Sequence, residues 1–229
     1  MRNNGTSTEI EPSEGQRQCQ GARIDDGNLS AVKLLEPQVL PTRITLISHA
    51  VTLALRHASF PLDESVTEGE LEKIAATGWA APRAQQVCCG PERRTWQTAK
   101  ALGLQPTEAS EICEINYGMW GGKQIDVIQA SDPAGLAAWL TDVQATPHGG
   151  ESVAQLIARV GAWLEKQTNA GHTVAVTHPA VIRGAILCCL QAPLTSFWRL
   201  DIAPLSVTDL RFNGRLWTAR STGCPLYRS

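Results

Sequence analysis

The stretch that most constrains this chain is Ile44 to Arg56, ITLISHAVTLALR. Ile44, Leu46 and Ile47 make an apolar, partly β-branched run that ends on a polar pair, Ser48-His49. A short apolar run of that kind reads as a buried strand. In an open α/β sheet, ligands gather beyond the carboxyl ends of the strands, so His49 stands where a site belongs. A second stretch has the same form. Thr173 to Thr177 is TVAVT, His178 follows directly, and Ala180 to Ile186 reads as a helix start. Two strand-terminal histidines out of five in the whole chain are the main functional signal.

The rest of the chain alternates between the two periods. Residues 67–76 predict a helix, with Thr67 and Glu70 at capping-box spacing. Residues 84–89 predict a strand and 93–102 a helix stopped by Gly103. Residues 112–115 read as short and extended, 116–122 as a loop, and Asp132-Pro133 as the start of a short helix carrying Leu136, Trp139 and Leu140. Gly149-Gly150-Glu151-Ser152 precedes the clearest helix. There Val153, Leu156, Ile157, Val160, Trp163 and Leu164 recur at helical spacing, with Ser152 as cap. Residues 207–212 and 216–219 predict two strands joined at Asn213-Gly214 in a two-residue turn. Strand and helix in alternation argue an α/β sandwich. Residues 1–40, rich in small polar and charged types, predict a mostly flexible tail. Residues 41–229 form the domain, with 113–148 a small insertion outside the core sheet.

Composition narrows the function. A chain of 229 residues suits one domain with a full core. A formal net charge of -2 argues against binding nucleic acid through a general basic surface, though not against a locally positive pocket. No apolar run reaches membrane-spanning length, and the N-terminus has no apolar leader, so no membrane partner is expected. The seven cysteines form no metal-type pair; Cys88-Cys89 and Cys188-Cys189 read as small buried hydrophobes. A reducing compartment and a cytoplasmic location are the expectation.

Ser48, His49, Glu114 and His178 fall in or just after strand candidates, with Arg56, Arg93, Arg94 and Arg183 on adjoining segments. Histidines, arginines and an acid together suggest the handling of an anion. Arginine clamps phosphate through a fixed fork of donors, histidine can carry a phosphoryl group, and a carboxylic acid can protonate a leaving oxygen.

Those residues carry a resemblance to the histidine phosphatase superfamily, the phosphoglycerate mutase-like fold, over about Ile44 to Ala219. The family's Arg-His-Gly stretch is matched by Ser48-His49-Ala50, with Thr52 at the place of its usual threonine. Its Ser-Ser-Pro motif running on to Gln-Thr-Ala is matched by Cys89-Gly90-Pro91-Glu92-Arg93-Arg94-Thr95-Trp96-Gln97-Thr98-Ala99. Glu114 with Tyr117-Gly118 and Trp120-Gly121-Gly122, then Gly149-Gly150-Glu151-Ser152 and Arg159, follow in the family's order. Val176-Thr177-His178-Pro179-Ala180-Val181-Ile182-Arg183 closes the set. The resemblance implies a three-layer α/β/α sandwich and a metal-independent, cofactor-free phosphomonoesterase. In it His49 would be the phosphoryl acceptor and Glu114 the proton donor, with Arg94 and His178 holding the phosphoryl oxygens. Ser48, Thr52 and Arg56 would face the substrate, a small phosphorylated molecule such as a nucleoside phosphate or a cobalamin precursor. A homodimer is compatible.

The chain also departs from the pattern. Ser48 replaces the arginine beside the acceptor, and Ala50, Pro179 and Ala180 replace glycines. Arg56, seven residues after His49, is the candidate to restore the lost charge. Two functions therefore stand: a phosphatase, or a catalytically impaired homologue that binds a phosphorylated ligand or supports an assembly.

Overall fold

A computed structural model describes residues 42–226; the expected tail lies outside them. The organising strand is β1, Thr42–Ser48, all but Arg43 buried. After it come the single-turn helix α1 (Leu53–Arg56), α2 (Glu68–Ala76), β2 (Gln86–Cys89), α3 (Arg93–Ala101) and the short β3 (Thr107–Glu108). Next are α4 (Ile125–Ser131), α5 (Pro133–Thr141), α6 (Val153–Lys166), β4 (His172–Thr177), α7 (Pro179–Leu190), β5 (Ser206–Phe212) and β6 (Trp217–Pro225). The six strands lie in the order β3-β2-β4-β1-β5-β6. β3, β2, β4 and β1 are mutually parallel, and β5 then runs antiparallel to β1. The register sets Ser48 against Thr177, so His49 and His178 leave neighbouring strands at one level.

Alternation along β1 and β4 explains the layers. Ile44, Leu46 and Ala175 point to one face, where they meet Leu156, Val160, Ile182 and Ile186 of α6 and α7. Ile47, Val174 and Val176 point to the other, against Ile74 of α2 and Ala99 and Leu102 at α3. With strands buried on both faces, nearly continuous apolar runs are what the chain needs. The result is the α/β/α sandwich. α6 begins as its sequence predicts: Ser152 and Gln155 form a reciprocal capping box.

Residues 113–148 add no strand to the sheet. Within them Trp120, Ile128, Leu136 and Trp139 pack with Phe60 as a third cluster.

Four local expectations change. Thr67 caps α2 without a side-chain bond: the Glu70 amide donates to the Thr67 carbonyl instead, and the Glu70 carboxylate pairs with Arg56 and Lys73. Of residues 112–115, expected to be extended, Ile112 closes a 3-10 turn over 110–112 and the rest form no strand. The β5–β6 turn sits one residue later, on Gly214 and Arg215, because the Asn213 N–H donates to the Leu216 carbonyl and the Asn213 side chain accepts from the Arg215 and Leu216 amides. Cys188 is only half-buried, donating from Sγ to the Ile157 carbonyl, while Cys88, Cys89 and Cys189 are buried.

Candidate active site

His49 follows β1 directly and is 6% exposed. Its Nδ1 lies 2.8 Å from the Ala50 carbonyl. A carbonyl only accepts, so Nδ1 carries the hydrogen and Nε2 keeps its lone pair. Burial, together with the positive charges on His178 and Arg94, lowers the His49 pKa to about 3. The ring is neutral at ordinary pH, which is the state a nucleophile requires.

His178 is the N-cap residue of α7 and fully buried. Its Nε2 lies 2.7 Å from Glu92 Oε2 and its Nδ1 3.2 Å from Glu114 Oε2. Two carboxylates flank the ring, so it is held as an imidazolium. Burial opposes that charge, but Glu114 and Glu92 outweigh it and raise the pKa above the ordinary value. The two histidine rings meet edge to face at 5.2 Å.

Arg94 enters from the first turn of α3 and is 1% exposed. It donates from Nη1 to the Leu62 carbonyl at 2.8 Å and from Nη2 to Glu114 Oε2 at 3.2 Å. Burial alone would raise the Glu114 pKa. His178 and Arg94 reverse that and hold its carboxyl well below the usual range. His49, Arg94, Glu114 and His178, drawn from four separate segments, therefore share one floor.

Glu92 is the residue that sequence reasoning missed. It occupies a place that the motif comparison treats as variable, yet its Oε2 holds His178 while its Oε1 accepts from the Glu114 amide at 2.8 Å. Burial works against its charge, but His178 prevails and lowers its pKa. Gly90 makes room for it. A Cβ there would come within 2.9 Å of Glu92 Oε2 and 3.0 Å of His178 Nε2. An acid two residues after a glycine was the only available signal, and it does not name its partner. Gly118 of the Tyr-Gly pair has a positive φ of 47° and packs its backbone on His148 and Gly150, where no side chain fits.

Three expected substrate-facing residues fare differently. Thr52 caps α1, accepting from the Leu55 amide, and lines the cavity over His49. Ser48 does not line it. It is fully buried at the end of β1, its carbonyl accepts from the Leu205 amide, and its hydroxyl has no partner among the described residues. Arg56 does not replace the missing arginine. It ends the one-turn helix α1 with its side chain 51% exposed, drawn to Glu70 at 3.3 Å. Arg93 likewise turns to the surface and pairs with Asp63. Arg159 is structural: it pairs with Glu151 through two nitrogens and donates to the Glu111 and Cys113 carbonyls.

Above the floor opens a cavity of about 650 Å³. His49, Thr52 and Glu114 form its base. Its walls carry Phe60, Tyr117, Leu136, Trp139, Pro179 and Trp198 among others.

The strand order and this floor define an α/β domain of the phosphoglycerate mutase-like type. The chain belongs to the histidine phosphatase superfamily (branch 1), whose sequence pattern matches residues 44–225. It is 29% identical over 188 residues to a bifunctional protein of Mycobacterium tuberculosis, covering 76% of this chain and 52% of that relative. The chain thus spans about half the length of that relative. It is 28% identical over 152 residues to phosphoserine phosphatase 1 of Hydrogenobacter thermophilus, covering 60% of this chain and 70% of that enzyme. The structure of a mycobacterial glucosyl-3-phosphoglycerate phosphatase superposes with a TM-score of 0.70 at 22% identity, covering 80% of this chain and 98% of the other. A putative alpha-ribazole-5'-P phosphatase from Escherichia coli gives 0.71 at 19% identity, covering 80% and 98%.

Proposed function

We propose that this protein hydrolyses phosphomonoesters through a phosphohistidine on His49. The observation that carries the reading is the Nδ1–Ala50 hydrogen bond, which leaves Nε2 of a neutral, buried His49 as a free nucleophile beside an arginine and an imidazolium. Nε2 attacks phosphorus in line, and the ester P–O bond breaks as the N–P bond forms. The Arg94 guanidinium and the His178 imidazolium take the charge on the non-bridging oxygens. Glu114 gives its proton to the leaving alcohol. The carboxyl is ionised at rest and the arriving phosphoryl charge favours its protonation; the proton comes in on the monoanionic ester itself, so His178 keeps its own and remains an imidazolium. Water then attacks phospho-His49, Glu114 takes a proton from it, and the N–P bond breaks to release phosphate. Glu92 acts through His178, holding its ring and charge; it is a positioning residue. The scheme uses no metal or other cofactor, and its partner is a small phosphorylated molecule.

A panel of phosphomonoesters run on the protein and on His49→Ala tests this. Turnover in the parent, lost in the variant together with an acid-labile phosphoryl adduct, is the expected result. A second reading, a binder of phosphorylated ligands, is favoured by one observation. With Ser48 in place of an arginine and Glu92 added, one guanidinium and one imidazolium face two carboxylates. Binding of phosphate esters with no turnover across the panel would make that reading the correct one.

A further inference from the structure

We infer that the site takes monoesters of a bulky, uncharged, predominantly apolar alcohol. This substrate class belongs to the phosphatase reading and rests on it. Two independent features point there. The first is the floor. Arg94 and His178 are already matched by Glu114 and Glu92, so little net attraction remains for a phosphate alone. The affinity that the floor lacks has to come from contacts with the rest of the substrate.

The second is the wall. Four aromatic side chains, Phe60, Tyr117, Trp139 and Trp198, come from well-separated segments and stack in one continuous cluster. Phe60 and Tyr117 lie 5.0 Å apart and Trp139 and Trp198 4.5 Å apart. Leu136 and Ile202 add aliphatic surface to the same lining. At the mouth Leu55, Ile125 and Leu140 line the cavity while remaining 48%, 44% and 46% exposed. Large aliphatic side chains left open to water around a cleft mark a surface awaiting an apolar partner. Above the floor, among the described residues, the lining holds a single cation, Arg183, and a single acid, Asp201. The Arg183 guanidinium lies 5.6 Å and 5.8 Å over the Phe197 and Trp198 rings, so it serves as part of the stacked wall. The described lining therefore offers no pair of cations for a second anionic group. A volume of about 650 Å³ exceeds what a phosphoryl group needs and suits an alcohol of several carbons or a ring system.

The test compares ethyl, butyl and octyl phosphate with phosphoserine and 3-phosphoglycerate on the full chain, since all are esters of alkyl alcohols with similar leaving groups. The expected result is a kcat/KM that rises by roughly threefold or more per buried methylene, with octyl phosphate at least tenfold above both charged esters. Leu140→Asp, a change at an exposed position, lowers the octyl-to-ethyl ratio at least threefold. Octylphosphonate and ethylphosphonate are titrated in parallel, followed through Trp139 and Trp198 fluorescence, and this arm works without turnover. Equal affinity for the two phosphonates, or a preference for the charged esters, overturns the inference while leaving phosphatase activity standing. Absence of turnover with tight octylphosphonate binding overturns the phosphatase reading and upholds the apolar site.

Discussion

The floor and the wall of the cavity are built on opposite physical principles. The floor is five polar side chains in mutual contact: His49, Arg94 and His178 are buried, and Glu92 and Glu114 partly so. The wall is aromatic and aliphatic, in edge-to-face contact and partly open to water. Removing a charged member of the floor leaves its partner's charge uncompensated, whereas trimming the wall loses only area. On the proposed reading the floor carries chemistry and the wall selectivity, so substitutions in the two regions should fail in different ways.

The largest effect is expected at the proposed nucleophile. His49→Ala lowers kcat by at least about a thousandfold, because the covalent route is lost; steady-state kinetics on any turned-over ester reads it. Next is Arg94→Ala. It removes the proposed phosphoryl clamp and leaves the part-buried Glu114 with one positive partner fewer. The expected cost is roughly 3 kcal/mol of stability with a fall in kcat/KM of at least about a hundredfold, measured by denaturant unfolding and kinetics together. A wall substitution that matched this double loss would break the distinction.

Glu92→Gln separates positioning from chemistry. His178 has its pKa raised by Glu114 and Glu92 against its burial. The imidazolium, and whatever stability it contributes, is fully present below the unfolded value and is lost as pH rises through the folded one. Without the Glu92 charge the alkaline limb of kcat/KM moves to lower pH. An unmoved limb would show that Glu92 only packs.

The effect that is smallest at neutral pH concerns stability on the acid side. His49 binds its proton near pH 6.5 when unfolded but only near 3 in the folded chain, chiefly because of burial. The unfolded state therefore binds more protons, and stability falls as pH drops from 6.5 toward 3, by at most roughly 5 kcal/mol from this group. Unfolding midpoints of the parent and of His49→Asn should converge as pH is lowered through that window.

Much of the floor was legible in the sequence. β1 and β4 are apolar runs ended by histidines, and a strand buried on both faces leaves no other pattern available. Arg94 and Glu114 followed from motif order. Arg56 did not behave as its proximity in the chain suggested, since seven residues of separation say nothing about which side of a one-turn helix the guanidinium leaves from. The wall was legible only in fragments: Trp139 stood out as an aromatic in the region between strands, while Phe60 and Trp198 had no local signature.

Ser48-His49 by itself determined that a histidine would stand at the mouth of a parallel sheet, because strand burial and strand ends are properties of consecutive residues. Tertiary structure alone decided what surrounds it. It sealed the Ser48 hydroxyl, sent Arg56 to Glu70, and set Glu92 against a histidine 86 residues away. Periodicity records which face a residue takes, whereas pairing between buried charges depends on which segments the fold brings within about 3 Å of one another.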